Sequence, residues 1–127
     1  MVIEKIKEVR QLKFQIKIID SKINEIRSQI QGQAIKYSDI PKMESYRNNI
    51  MQNLMEKIIE LENKKSRLQM KIDIILEELS ELPEMIYKVV YYKHVDNLTW
   101  LEIADKLNYS VSQCRRFYIE AKKLITI

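Results

Sequence analysis

Residues Thr99–Lys123 read TWLEIADKLNYSVSQCRRFYIEAKK, a stretch that carries the start and stop signals of two short helices. Thr99 followed by Glu102 is a capping box, and Ser110 followed by Gln113 is a second one. An asparagine separates the two boxes, and this residue type tolerates the left-handed conformation in which many helices end. The spacing predicts two helices joined by a tight turn, which is the geometry of a helix-turn-helix.

The second predicted helix has an apolar side and a polar side. Its apolar residues recur at helical spacing: Val111, Cys114, Phe117, Tyr118, Ala121, Leu124 and Ile125. Four polar residues are left facing outward near its start: Ser112, Gln113, Arg115 and Arg116. Arg and Gln can bind base edges through two hydrogen bonds, and the first turns of a recognition helix enter the DNA major groove. The pattern favours DNA binding over two ordinary capped helices with a solvated basic face.

Charge is concentrated on this second helix. The chain has a net charge of +4, and after Ser110 four basic residues face one acidic residue. A focused basic surface is the electrostatic footprint of phosphate binding. We therefore predict that Lys122 contacts the DNA backbone, the alternative for Lys122 and Lys123 being a solvated face. The modest total charge favours specific binding, helped by dimerisation, over nonspecific binding.

The segment from LPEMI (residues 82–86) to AKKL (residues 121–124) resembles region 4 of sigma-70-type factors, which reads the −35 promoter element. TWLEIADKLNYS and CRRFYIEAKKL align with that module without a gap. The resemblance implies that Val111, Ser112 and Arg116 read bases. It also implies that Arg115 and Thr99 contact the phosphate backbone.

The whole chain resembles the RinA/ArpU-type phage late-transcription activators, which place a long helical segment before a sigma-like helix-turn-helix. This implies a transcription activator in the cytoplasm of a bacterial host, with double-stranded DNA as partner and host RNA polymerase as a further one. Two positions depart from the sigma pattern. Val111 stands where sigma factors often have a polar reader, and Asn108 stands where many relatives have Gly. The first departure leaves the target sequence open.

Heptad repeats fill the first 82 residues and predict two helices, at about residues 2–31 and 43–82. In the first helix the seam runs from Val2 through Val9 to Ile30, and Lys5 alone interrupts it. Gly32 and Pro41 mark the break between the helices, since Gly caps helix ends and Pro fits helix starts. The sequence thus predicts an all-α fold: a coiled-coil hairpin over residues 1–82 and, after the joint at Pro83, a helix-turn-helix domain over residues 83–127.

The seam of the second helix also predicts self-association. Its residues Leu54, Ile58, Leu61, Leu68, Ile72 and Ile75 are the expected dimerisation contacts. Lys65 inside the seam favours a parallel dimer. A second apolar stripe calls for a further partner: Phe14, Ile18, Met55, Ile59, Met70 and Ile74. We expect a homodimer or a higher oligomer; the alternative is that these extra residues pack under the C-terminal domain. Whether the first helix packs on its own second helix or on a partner's stays open.

Composition excludes several classes of protein. Gly occurs once and Pro twice, which leaves little turn chemistry for a β fold. No apolar run approaches the roughly 20 residues that span a bilayer, and the N-terminus lacks a signal-peptide core, so we expect a cytoplasmic protein without membrane contact. The only Cys, Cys114, is expected to be buried, and the only His, His94, to face the end of a helix or solvent. This pair makes no catalytic or metal site, so we expect no enzyme, metal or cofactor.

A second functional class fits the heptads as well as the first. A coiled-coil scaffold, or a DNA-packaging assembly protein similar to a small terminase, would also combine long helices with a structural helix pair at the C-terminus. The charge on the second motif helix favours the DNA-binding regulator.

Overall fold

The structure is a computed structural model that describes residues 3–37 and 44–125, and this part of the chain is all-helical. Its five helices, in chain order, are α1 (Ile3–Tyr37), α2 (Glu44–Leu79), α3 (Glu84–His94), α4 (Trp100–Leu107) and α5 (Val111–Ile125). The predicted all-α class is confirmed, and the two long N-terminal helices agree with it. None of the described helices combines the length and the apolar character that a membrane span requires.

Helix α1 continues beyond the predicted stop at Gly32 and reaches Tyr37. Gly32 keeps a negative φ, so it does not form the left-handed cap that the prediction assumed. A glycine inside a helix costs only about 1 kcal/mol relative to alanine, and the helix tolerates it. Pro41 and the predicted helix starts at residues 2 and 43 lie outside the described residues.

Helix α2 ends three residues earlier than predicted, at Leu79. The Ser80 hydroxyl donates to the Glu77 carbonyl oxygen at 2.6 Å, and the Leu82 amide donates to the Leu79 carbonyl at 3.0 Å, which closes a turn. Pro83 follows with φ −52° and ψ 145°. Its carbonyl oxygen accepts from the Tyr87 amide at 2.9 Å, so Pro83 precedes α3 as its N-cap rather than forming the first turn.

Residues Phe14–Gln69 form one of two compact units. Two ion pairs join its helices: Asp20 Oδ1 to Lys65 Nζ at 2.7 Å, and Arg27 to Glu62 at 3.2 Å. The partner numbers fall along α2 as they rise along α1, so the helices run antiparallel within one chain. Ile19, Ile23 and Leu68 are its buried apolar residues. The packing of helix 1, which the sequence left open, is intramolecular here.

The other unit takes the residues up to Lys13 and those from Met70 onward, so the division falls inside the long helices rather than at Pro83. Its buried apolar side chains come from all five helices; in α1 they are Ile6, Val9 and Leu12. Ile6 is buried and Lys5 is exposed, so the buried seam passes through Ile6, three residues before Val9, and Lys5 lies beside it. The predicted interruption of the seam at Lys5 is therefore wrong. The Lys13 ammonium donates to the Tyr91 hydroxyl at 2.8 Å and ties α1 to α3.

Candidate nucleic-acid interface

Helices α4 and α5 begin and end on the local signals that the sequence contains. Thr99 is the N-cap of α4, and both hydrogen bonds of its box with Glu102 are formed. Asn108 ends α4 with φ 58° and ψ 37°, the left-handed conformation. Ser110 starts α5: its hydroxyl accepts from the Gln113 amide at 3.1 Å. Among the described hydrogen bonds, the return bond of this second box is not formed.

A small apolar core holds the two helices together. Its buried members are Val89 of α3, Ile103 and Ala104 of α4, and Cys114 of α5. Larger side chains pack around them, half-buried: Tyr92, Leu98, Trp100, Leu107, Val111, Phe117 and Tyr118. The predicted inner position of Cys114 is confirmed, and burial raises the pKa of its thiol. Cys114 is therefore an unreactive core residue and fixes which side of α5 faces inward.

The predicted base-reading residues divide into two groups. Ser112 and Arg116 are exposed on the side of α5 away from Cys114. Gln113 is half-buried and bonded through its amide to Ser110. Val111 packs against the core and leaves only part of its side chain for a ligand. Ser112 and Arg116 are thus the residues best placed to reach a groove.

The residues predicted to contact the DNA backbone differ in the contacts that their side chains already make within the protein. Arg115 is exposed, with its guanidinium carbon 5.9 Å from the centre of the Trp100 ring. Lys122 is exposed, with its ammonium 5.0 Å from the Tyr118 ring centre. The Thr99 hydroxyl donates to the Glu102 carboxylate at 2.9 Å, so it is committed to the cap. Arg115 and Lys122 remain the stronger candidates for phosphate contact.

Sequence reasoning missed one cation beside this pair. The Lys93 ammonium lies 4.8 Å from the centre of the Trp100 ring, and Trp100 packs edge-on against Tyr118 at 5.4 Å. Lys93 belongs to α3, so no spacing within the motif could point to it. We call Lys93, Arg115 and Lys122, with the two rings between them, the aromatic–basic patch. Cations held over aromatic faces are positioned while their charge stays available to a ligand.

His94 is the largest departure from expectation in this unit. It is the last residue of α3, but it is only 8% exposed, and its Nε2 lies 2.8 Å from the Tyr118 hydroxyl oxygen in a hydrogen bond. Of the two expectations for His94, exposure to solvent is wrong, since the packing of α3 on α5 covers it, while its position in the last turn of α3 agrees with the other. Burial, and then the positive charges of Lys7, Lys93, Arg10 and Lys122, lower its pKa to about 4. It is neutral at pH 7.

We expect His94 to titrate near pH 4 in the folded protein and near 6.5 in the unfolded chain. The unfolded chain binds the proton more readily, so stability is intact above about pH 6.5 and falls as the pH drops toward 4, by at most about 3 kcal/mol. The chain has one histidine, so its NMR resonance is unambiguous. A midpoint near 6.5 in the folded state would contradict the burial of the ring.

The described part of the chain holds no cluster of three or more His, Cys, Asp or Glu side chains that could hold a metal ion. Cys114 is buried as a free thiol.

The predicted dimerisation residues are partly or fully covered within the single chain. Leu68, Ile72 and Ile75 are buried within the single chain, and Leu54, Ile58 and Leu61 are half-buried. The side chains of the second stripe are exposed: Phe14, Ile18, Met55, Ile59, Met70 and Ile74. The alternative that these residues pack under the C-terminal domain is therefore wrong. The second stripe is therefore more accessible to a partner than the seam is.

Comparison with known proteins gives no relative for this chain: no family model, no curated protein and no solved structure matches it.

Proposed function

We propose that this protein is a sequence-specific, double-stranded DNA-binding regulator of transcription that reads the major groove with α5. The observation that carries the proposal is the pairing of α4 with α5. Ser110 caps α5, Cys114 fixes its inner side, and Ser112 and Arg116 are exposed on its outer side near the N-terminal end. Recognition helices present their base-reading residues from this position.

The charges around α5 support the same proposal. Arg115 and Lys122 lie seven residues apart along one edge of the exposed side of α5, and Lys93 adds a third cation from α3. Contacts of this kind to phosphates fix the register of a protein on DNA, while base contacts supply specificity. Arg116 is the residue suited to bidentate contact with a guanine, and Ser112 can bond to any base edge.

The biological setting that we propose follows the resemblance to phage late-gene activators. The protein would act in the cytoplasm of a bacterial host as a homodimer or higher oligomer, with host RNA polymerase as a further partner. The exposed apolar side chains of α1 and α2 support self-association, because large apolar patches left in water mark interaction sites. A two-fold dimer would bind paired half-sites.

The same exposed side chains favour a second candidate function, that of a coiled-coil scaffold or packaging component. An assembly protein needs lateral contacts along its helices and does not need Arg115 or Arg116. The two functions therefore differ in their dependence on α5.

We expect the double variant Arg115→Ala, Arg116→Ala to lose at least about tenfold in affinity for the DNA upstream of the gene that encodes this protein, because one base contact and one phosphate contact are removed. A mobility-shift titration measures this. The matched control is Lys17→Ala, Lys22→Ala, which removes the same charge from exposed positions of α1. Equal binding by both double variants and wild type would favour the scaffold, and two chains per bound duplex would support the dimer.

A further inference from the structure

The first turns of α1 carry a row of cations beside the helix-turn-helix. Lys7, Arg10 and Lys13 are exposed and spaced three residues apart, so they are neighbours on one side of the helix. These turns belong to the same compact unit as α3, α4 and α5. Lys13 is fixed against α3 by its hydrogen bond to the Tyr91 hydroxyl and lies 5.2 Å from that ring's centre. The row therefore has a defined position relative to α3.

His94 marks the point where this row meets the aromatic–basic patch. Its imidazole bonds to Tyr118, the ring beneath Lys122, and Lys93 is its neighbour in α3. The positive charges of Lys7 and Arg10 act on the same imidazole and help to lower its pKa. The charges of cations from α1, α3 and α5 thus act on one buried ring.

Like charges gathered in this way repel one another. No described carboxylate oxygen lies within 4 Å of the charged atoms of four of these cations: Lys7, Arg10, Lys93 and Arg115. An extended anionic partner removes the repulsion, and the regular phosphates of a duplex supply many charges along a line. A basic surface made by three helices is broader than the footprint of α5 alone.

We propose that Lys7 and Arg10 of α1 bind backbone phosphates of the same DNA duplex that α5 reads, and so extend the footprint beyond the helix-turn-helix. This rests on the proposed function and adds a second element to the binding surface. Phosphate contacts carry no sequence information, so the α1 contacts raise the affinity for every duplex equally.

The test is the salt dependence of binding to a duplex selected by the wild-type protein from a randomised pool, and to an unrelated duplex. Each phosphate contact adds about 0.9 to the slope of log affinity against log salt. We expect Lys7→Ala, Arg10→Ala to reduce the slope by about 1.8 on both duplexes and to weaken binding about tenfold or more at about 0.1 M salt. Lys17→Ala, Lys22→Ala is the control and should leave both unchanged.

Two further measurements separate charge from folding. The double variant Lys7→Gln, Arg10→Gln should show the same reduced salt slope, since it removes the same two charges but keeps side chains longer than alanine. The pKa of His94, followed by NMR, should rise in both Lys7/Arg10 variants and stay unchanged in the control. Wild-type affinity and slope in the Lys7/Arg10 variants would overturn the inference, and would point to an acidic protein as the partner of α1. If the Arg115→Ala, Arg116→Ala variant also binds DNA like the wild type, the proposed function fails as well as the inference about α1.

Discussion

Replacing Ile103 by alanine should lower the free energy of unfolding by about 3–4 kcal/mol, because a fully buried side chain is removed and a cavity is left. Ile103 lies at the centre of the core that joins α3, α4 and α5, where three helices share few buried residues. A loss of this size is a large fraction of the roughly 5–15 kcal/mol that stabilises a typical domain. Urea or thermal unfolding followed by circular dichroism measures it.

Leu101 is the matched control, since it lies in the same helix two residues earlier and is 75% exposed. Leu101→Ala should change the free energy of unfolding by less than about 0.5 kcal/mol. If the two substitutions lower the free energy of unfolding equally, the orientation of α4 is not the one described. We also expect Ile103→Ala to weaken DNA binding, because α5 loses its support.

Replacing Arg116 and Arg115 one at a time should separate base reading from backbone positioning. Arg116→Ala should reduce the preference for the selected sequence over an unrelated one by about 1–3 kcal/mol, since a bidentate base contact has that value. Arg115→Ala should weaken binding to both duplexes by a similar factor and reduce the salt slope by about 1. Fluorescence anisotropy with the two duplexes, over a range of salt concentrations, gives the sequence preference and the salt slope of each variant.

Ser112→Ala offers an internal comparison on the same exposed side of α5. It removes one hydroxyl and no charge, so it should alter the preference among sequences and leave the salt slope unchanged. If Arg115→Ala changes the preference and Arg116→Ala changes only the slope, the two roles are exchanged, and α5 presents a different edge to the groove.

The helix-turn-helix could be predicted from sequence because its signals act over three or four residues. The Thr99–Glu102 box, the left-handed Asn108 and the Ser110 cap are formed by atoms that are neighbours along the chain. Cys114 could be placed because the helical period alone decides which side of α5 faces inward. Local chemistry was enough for these features.

The features that sequence reasoning missed depend on contacts between distant residues. His94 is covered by α5, whose Tyr118 is 24 positions away. Lys93 joins Arg115 only because α3 and α5 both contact Trp100. Gly32 does not end α1, since the free-energy cost of one glycine inside a long helix is small. None of these outcomes could be read from spacing along one helix.

The heptad seam shows that one apolar pattern fits both an intramolecular helix pair and a dimer. Leu68, Ile72 and Ile75 hold the predicted period and are buried. The period does not say whether the covering helix comes from the same chain. The antiparallel ion pairs Asp20–Lys65 and Arg27–Glu62 join α1 and α2 of one chain at residues 62 and 65 of α2. The seam therefore argues for the hairpin, and the exposed stripe argues for the oligomer.

Selection of DNA from a randomised duplex pool is the direct test of whether α5 reads a DNA sequence. The wild-type protein should enrich one recurrent sequence, and the Arg115→Ala, Arg116→Ala variant should enrich none, while Lys17→Ala, Lys22→Ala enriches the wild-type sequence. Sequence reading by α5 is contradicted if the pool stays random after repeated rounds with the wild-type protein, or if the double variant enriches the same sequence.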